Sequence, residues 1–221
     1  MVVGSTPERS SGSSGAFDVV VLAGSLGGLE ATSQVLAGLP ADFPAAILVA
    51  LHRAMPTATS TPDDLSRMIA RNTSLRVGPT SDMGGRMEAL EPGVVTVLPP
   101  HTRLAAEGAA WTLAPVAGMR TLDPTLQALA ERHRQRCLGV ILSGRLDDGA
   151  QGAREIKRAG GRVIVQDPTE AKAPSMPLSV LATGSLDFVL PLSRIAAALV
   201  ALTMAPGGAD LLRTPRSAWA G

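Results

Sequence analysis

Apolar residues fall into short, dense runs separated by longer stretches with helical spacing. The first run, Val19-Val20-Val21-Leu22-Ala23, closes at Gly24, and residues from Gly28 to about Leu36 then follow a helical period that stops around Gly38 and Pro40. A second run, Ala45-Ala46-Ile47-Leu48-Val49-Ala50-Leu51, ends at His52, and Pro62-Asp63-Asp64 opens a helix reaching about Arg71. Proline has no N–H to waste at a helix start, and the two carboxylates suit the dipole. Strand, helix, strand, helix in this order predicts an α/β fold, a doubly wound, mostly parallel sheet with helices on both faces.

The middle of the chain breaks the rhythm. Val94 to Leu98, Thr102 to Ala106 and Trp111 to Ala114 are short and are split by Pro99-Pro100 and Gly108, which predicts a small antiparallel hairpin or meander beside the main sheet. A helix from Asp123 to about Arg134 follows, then the strand Leu138 to Leu142, a helix from Ala150 to about Ala159 and a strand from Arg162 to Gln166. Met176-Pro177 opens a further helix, and the strand Leu186 to Leu190 and the amphipathic helix Leu192 to Leu202 close the fold. The Ser- and Gly-rich residues 1–15 read as a flexible tail, 16–203 as one domain, and 204–221 as a C-terminal tail.

Composition narrows the function classes. With 20 Lys+Arg against 19 Asp+Glu and 2% aromatic residues, the chain shows neither the basic footprint nor the stacking platform of a nucleic-acid binder. The single Cys137 excludes an internal disulfide and a cysteine zinc cluster, and suits a reducing, cytoplasmic compartment. Its place beside an apolar run points to a buried structural thiol. No apolar stretch reaches about 18 residues, so membrane insertion is not expected.

Candidate chemistry lies where three strands end. Ser25 stands in the turn Gly24-Ser25-Leu26-Gly27-Gly28, where glycines allow close backbone approach and the following helix aims its first N–H groups and positive pole at the turn. Such a turn suits a bound anion or a nucleophile beside an oxyanion pocket. His52 ends the second strand, and Asp147 or Asp148 follows the Leu138 strand. In an open parallel sheet these positions share one edge, where ligands bind. A serine nucleophile needs a base, and the base a carboxylate to fix its tautomer. Each residue also has a plainer reading, His52 as a polar strand end and Asp148 as the N-cap of the helix from Ala150. His101, His133 and the arginines 132, 134 and 136 read as surface residues. A dinucleotide site would want an acid at the end of the second strand and G-x-G-x-x-G spacing, and the chain has neither.

Taken together, these segments resemble the catalytic domain of CheB-type chemotaxis protein-glutamate methylesterases. Gly24-Ser25-Leu26-Gly27-Gly28 is similar to the family's G-x-S-x-G-G turn, Leu51-His52-Arg53-Ala54-Met55-Pro56 to its Q-H-M-type segment, and Gly144 to Gly152 to its G-M-G-x-D-G-A-x-G loop. Val165-Gln166-Asp167 with Met176-Pro177 resembles its A-Q-D…M-P region. The resemblance implies Ser25 as nucleophile, His52 as general base and acid, Asp148 rather than Asp147 as the orienting carboxylate, and backbone N–H groups near Leu26 and Arg145 as oxyanion donors. It implies demethylation of glutamyl methyl esters, and deamidation of certain glutamines, on a methylated receptor or other methylated protein, with no metal or organic cofactor. The family's receiver domain has no counterpart in these residues, so a stand-alone domain is expected, its regulation either lost or supplied by a separate protein. Arg145 and Leu146 replace the Met and second Gly of the loop. If that glycine takes a positive φ, leucine there is expected to reshape the loop. The family's R-P-S-x-D segment is Met119-Arg120-Thr121-Leu122-Asp123, with its substrate-facing arginine missing or shifted by one. An alternative is a weak or inactive relative kept as a binding module.

Overall fold

A computed structural model describes residues 16–52, 63–78, 85–87, 89–118 and 120–205. The tail expected over residues 1–15, nearly all of that expected over 204–221, Pro62 and the segment Arg53 to Pro56 lie outside the described residues. The main sheet has seven strands, all paired in parallel. They are β1 (Val19–Gly24), β2 (Ala46–Leu51), β3 (Arg76–Val77), β5 (Val94–Val97), β8 (Cys137–Ile141), β9 (Arg162–Gln166) and β10 (Phe188–Leu190), in the order β10-β9-β8-β1-β2-β5-β3. A second sheet, antiparallel in the order β4-β7-β6, is made of β4 (Arg86–Met87), β6 (Thr102–Glu107) and β7 (Ala110–Pro115).

Every residue of β1 is buried, and its side chains alternate between two apolar layers. Val20 and Leu22 face the layer covered by α1 (Gly28–Ala37), α2 (Asp63–Ala70) and α6 (Leu192–Met204). Val19, Val21 and Ala23 face the layer covered by α3 (Leu122–His133), α4 (Ala150–Arg158), α5 (Ser175–Thr183) and the small sheet. Helices on both faces explain why the central strands carry no polar alternation.

Two expectations about the middle segments are corrected. Val94–Val97 does not belong to the small sheet; it pairs in parallel with β2, Ile47 opposite Val95 and Val49 opposite Val97. Its three valines are buried, Val95 and Val97 in the layer of α1, α2 and α6, which the flanking prolines obscured in the sequence. The expected hairpin is β6–β7, and the two-residue β4 extends it to three strands. His133 and two of the arginines beside it, read as surface residues, are half-buried and partnered instead. The His133 ring stacks on buried Trp111 with centroids 6.0 Å apart, and the Arg132 guanidinium lies 3.8 Å from the Trp111 ring centre. Arg132 also donates to the carbonyls of Gly108, Ala109 and Ala110, tying the β6–β7 turn to α3. Arg136 pairs with Asp18 at 2.6 Å. Cys137 is buried, and burial pushes its thiol up to about 12, as a structural cysteine requires.

Candidate active site

The sheet turns about β1 and β8: β1 leads on to β2, while β8 leads the opposite way to β9 and β10. The crevice beyond the carboxyl ends of these strands is where parallel sheets hold ligands. Backbone hydrogen bonds continue past the strand ends and set the register there. His52 N–H donates to Gly24 O at 2.9 Å, Ser25 N–H to Ser143 O at 3.0 Å, and Leu142 N–H to Ala23 O at 2.8 Å. The serine, the histidine and the loop after β8 are therefore neighbours by backbone pairing.

Of the candidate carboxylates, Asp148 reaches the histidine. His52 Nε2 and Asp148 Oδ2 are 2.7 Å apart, and both side chains are less than 10% exposed. Asp147 instead points outward and pairs with the exposed Arg120 at 2.7 Å. Ser25 and His52 line one cavity of about 470 Å³ together with Leu29, Leu51, Leu65 and the outer face of α2. The serine hydroxyl makes no hydrogen bond to a described residue; in enzymes without substrate such contacts are commonly long and tighten on binding.

Asp148 does cap a helix, but not the one that follows it. Its Oδ2 accepts the Leu122 N–H at 3.0 Å and its Oδ1 the Asp123 N–H at 2.9 Å, which caps the start of α3. Asp123 returns the arrangement, its Oδ1 accepting the N–H groups of Gly149 at 2.8 Å and Gly152 at 2.7 Å at the start of α4. The start of α3 is thus capped by an acid from the loop before α4, and the start of α4 by an acid of α3. The two carboxyls are driven apart in acidity. Burial alone would raise Asp148, but the His52 contact and the two amides outweigh it and hold the group below the ordinary range. Burial pushes Asp123 up, and the Asp148 charge reinforces this against the Gly152 and Gly149 amides.

The loop change at Leu146 does not displace this carboxylate. Leu146 adopts the left-handed conformation, φ 67°, and its side chain is 69% exposed, so the loop keeps a glycine-like path at a cost in strain. Leu146→Gly is expected to relieve about 1 kcal/mol and raise the melting temperature by about 2–4 °C. An unchanged or lower melting temperature in a thermal scan contradicts that strain.

Two glycines allow the approach of the turn and the loop. Gly27 has φ 80°, and a Cβ there would meet Ser143 Oγ and Lys172 Cβ at 2.7 Å. A Cβ at Gly144 would overlap Met176 and come within 3.0 Å of Ser25 Cβ. Neither the Leu26 nor the Arg145 N–H donates to another described residue, so both backbone donors are open beside Ser25 and Gly144.

Three supporting residues were not given a role from the sequence. Buried Ser143 donates from Oγ to Leu26 O at 2.7 Å and accepts the Ala173 N–H at 2.9 Å, holding the Ser25 turn against the segment before α5. Gln166 Oε1 accepts the Ser143 N–H at 2.8 Å. Asp123 is the third. A polar residue closing the apolar run Val163-Ile164-Val165 was the available signal for Gln166. Nothing local marks which helix Asp123 serves. Among the described residues no three His, Cys, Asp or Glu side chains are grouped as metal ligands would be.

A parallel α/β sheet that gathers a hydroxyl, an imidazole and a buried carboxylate at its switch point has the layout of a serine hydrolase. The chain belongs to the CheB methylesterase family, whose sequence profile matches residues 20–199. It is 36% identical over 200 residues to a protein-glutamate methylesterase/protein-glutamine glutaminase of Moorella thermoacetica, covering 86% of this chain and 45% of that protein. It is also 36% identical over 194 residues to the protein-glutamate methylesterase FrzG of Myxococcus xanthus, covering 83% and 54% respectively. The chain thus spans about half the length of these curated relatives. The crystal structure of the Thermotoga maritima CheB methylesterase catalytic domain superposes with a TM-score of 0.73 at 29% identity, covering 84% of this chain and 98% of that one. Among the described residues no helix is long and apolar enough to cross a membrane.

Proposed function

We propose that residues 16–203 form a catalytic unit that hydrolyses glutamyl methyl esters on a methylated receptor or similar protein, and deamidates glutamine side chains by the same route. The observation that carries this reading is the 2.7 Å contact between His52 Nε2 and the buried Asp148 carboxylate, at the sheet edge and cavity that Ser25 shares. Ser25 attacks the ester carbonyl as its proton passes to His52. Because Nε2 faces Asp148, Nδ1 is the nitrogen that takes the proton, the reverse of the assignment in the chymotrypsin-type template. The N–H groups of Leu26 and Arg145 hold the developing oxyanion, a role in which one donor is worth about 10²–10³ in rate. His52 then protonates the departing methoxide, and methanol leaves. A water, deprotonated by His52, attacks the acyl-enzyme, and the proton returns to Ser25 as the glutamate is released. Asp148 stays ionised throughout and stabilises the imidazolium.

A fluorophosphonate probe followed by peptide mass analysis tests the activated hydroxyl without knowledge of the substrate. The expected adduct is on Ser25 and is lost in His52→Ala; absence of a Ser25 adduct in the unmodified protein overturns the nucleophile assignment.

A further inference from the structure

The cavity beside Ser25 is larger than one ester side chain needs, in the size range of pockets that bury a drug-sized ligand, so groups flanking the ester enter it too. One of its walls is a face of α2. Asp64, Arg67, Met68 and Arg71 recur at intervals of three and four residues and all line the cavity. Leu65 and Ile69 are buried in the core, which fixes that face toward the opening. Asp64 is matched by Arg67 at 3.4 Å, so this pair leaves little net charge. Arg71, exposed just beyond the last turn, has no carboxylate partner among the described residues. Met68, 41% exposed, adds an apolar contact beside it. This wall therefore carries one net positive charge beside the apolar side chain of Met68.

We infer that this wall reads the residues next to the ester, and that Arg71 is a specificity-determining residue selecting substrates with a free carboxylate beside the methylated one. The inference rests on the proposed esterase reading. A protein esterified at glutamates offers such carboxylates wherever a neighbouring acid is unmodified, and Arg71 is the group on the wall that meets one without first giving up a partner.

The test uses two peptides that carry a glutamyl γ-methyl ester, one flanked by Glu and one by Gln. Their binding to the Ser25→Ala protein is measured by fluorescence anisotropy, and methanol release by the Ser25 protein is followed in parallel. The acidic peptide is expected to bind about two- to fivefold more tightly, the range of one exposed ion pair, with the preference fading at high salt. Arg71→Glu should reverse the preference, Arg71→Lys retain part of it, and Arg154→Glu on α4, across the sheet, shift it less than Arg71→Glu. Equal binding of the two peptides, or an Arg71→Glu protein with the original preference, overturns the inference, as does failure to bind either peptide. Methanol release then decides the esterase reading separately: ester turnover without acidic preference removes Arg71's role and leaves the catalytic assignment standing.

Discussion

Ser25→Ala is expected to lower methanol release from a glutamyl methyl ester by about 10⁶-fold in kcat, the scale seen when the nucleophile of a serine triad is removed. Without the hydroxyl, water must attack the ester directly, and only the oxyanion donors and substrate positioning remain to help. The fold should not change, because the turn is held by its backbone. Ser25 N–H donates to Ser143 O and Ser25 O accepts the Gly28 N–H at 2.8 Å, and neither bond uses the side chain. Matching melting curves with lost turnover is thus the expected pair of results. A variant that hydrolyses the ester at the original rate would move the chemistry to another residue.

Asp148→Asn should cost about 10⁴-fold in kcat, and the reason lies in its full set of contacts. Oδ2 faces His52 Nε2 and the Leu122 N–H, and Oδ1 faces the Asp123 N–H, so every partner the backbone supplies is a donor. An asparagine must turn its NH₂ toward one of these. If the NH₂ takes the place of Oδ2, it donates to Nε2, leaves the ring proton on Nδ1, where the Ser25 proton has to arrive, and opposes the Leu122 N–H. If it takes the place of Oδ1, it opposes the Asp123 N–H, and in either placement two opposed donors cost about 1–3 kcal/mol. Stability should show the same group by its pH dependence. Since the folded state holds the Asp148 carboxyl below its unfolded value, its contribution is present at neutral pH and is lost as pH falls through the folded value, below the ordinary carboxylate range. The difference in melting temperature between the parent protein and Asp148→Asn should therefore narrow in strong acid. A constant gap from neutral to acid pH would show that the charge of Asp148 is not what stabilises the fold.

What could be read from the sequence follows the physical range of each signal. Dense apolar runs such as Val19 to Ala23 and Leu138 to Leu142 report burial on both faces directly, so the parallel sheet and the residues at its strand ends were legible. The same rule applied to Val94–Val97 was overridden by nearby prolines, although burial and parallel pairing were what its valines implied. Very short strands such as Arg76–Val77 and Arg86–Met87 carry no period and gain their pairing only from neighbours already in place. Spacing placed Asp147 and Asp148 equally well at the edge, and only the resemblance chose between them. Their difference is one of direction, inward to His52 or outward to Arg120, which depends on the loop path. Leu146 shows the limit from the other side. Its side chain argues against a left-handed backbone, yet the surroundings impose one, and an exposed leucine bears the strain.

The exchange of acids between α3 and the loop before α4 ties the proposed catalysis to architecture. An orienting carboxylate is usually pictured as hanging from its own loop. Here it is fastened at the far end by the first turn of a helix that the chain made some 25 residues earlier, and that helix in turn fastens the loop. Neither segment can be redesigned, lengthened or re-aimed alone, because the imidazole's alignment is a shared property of both.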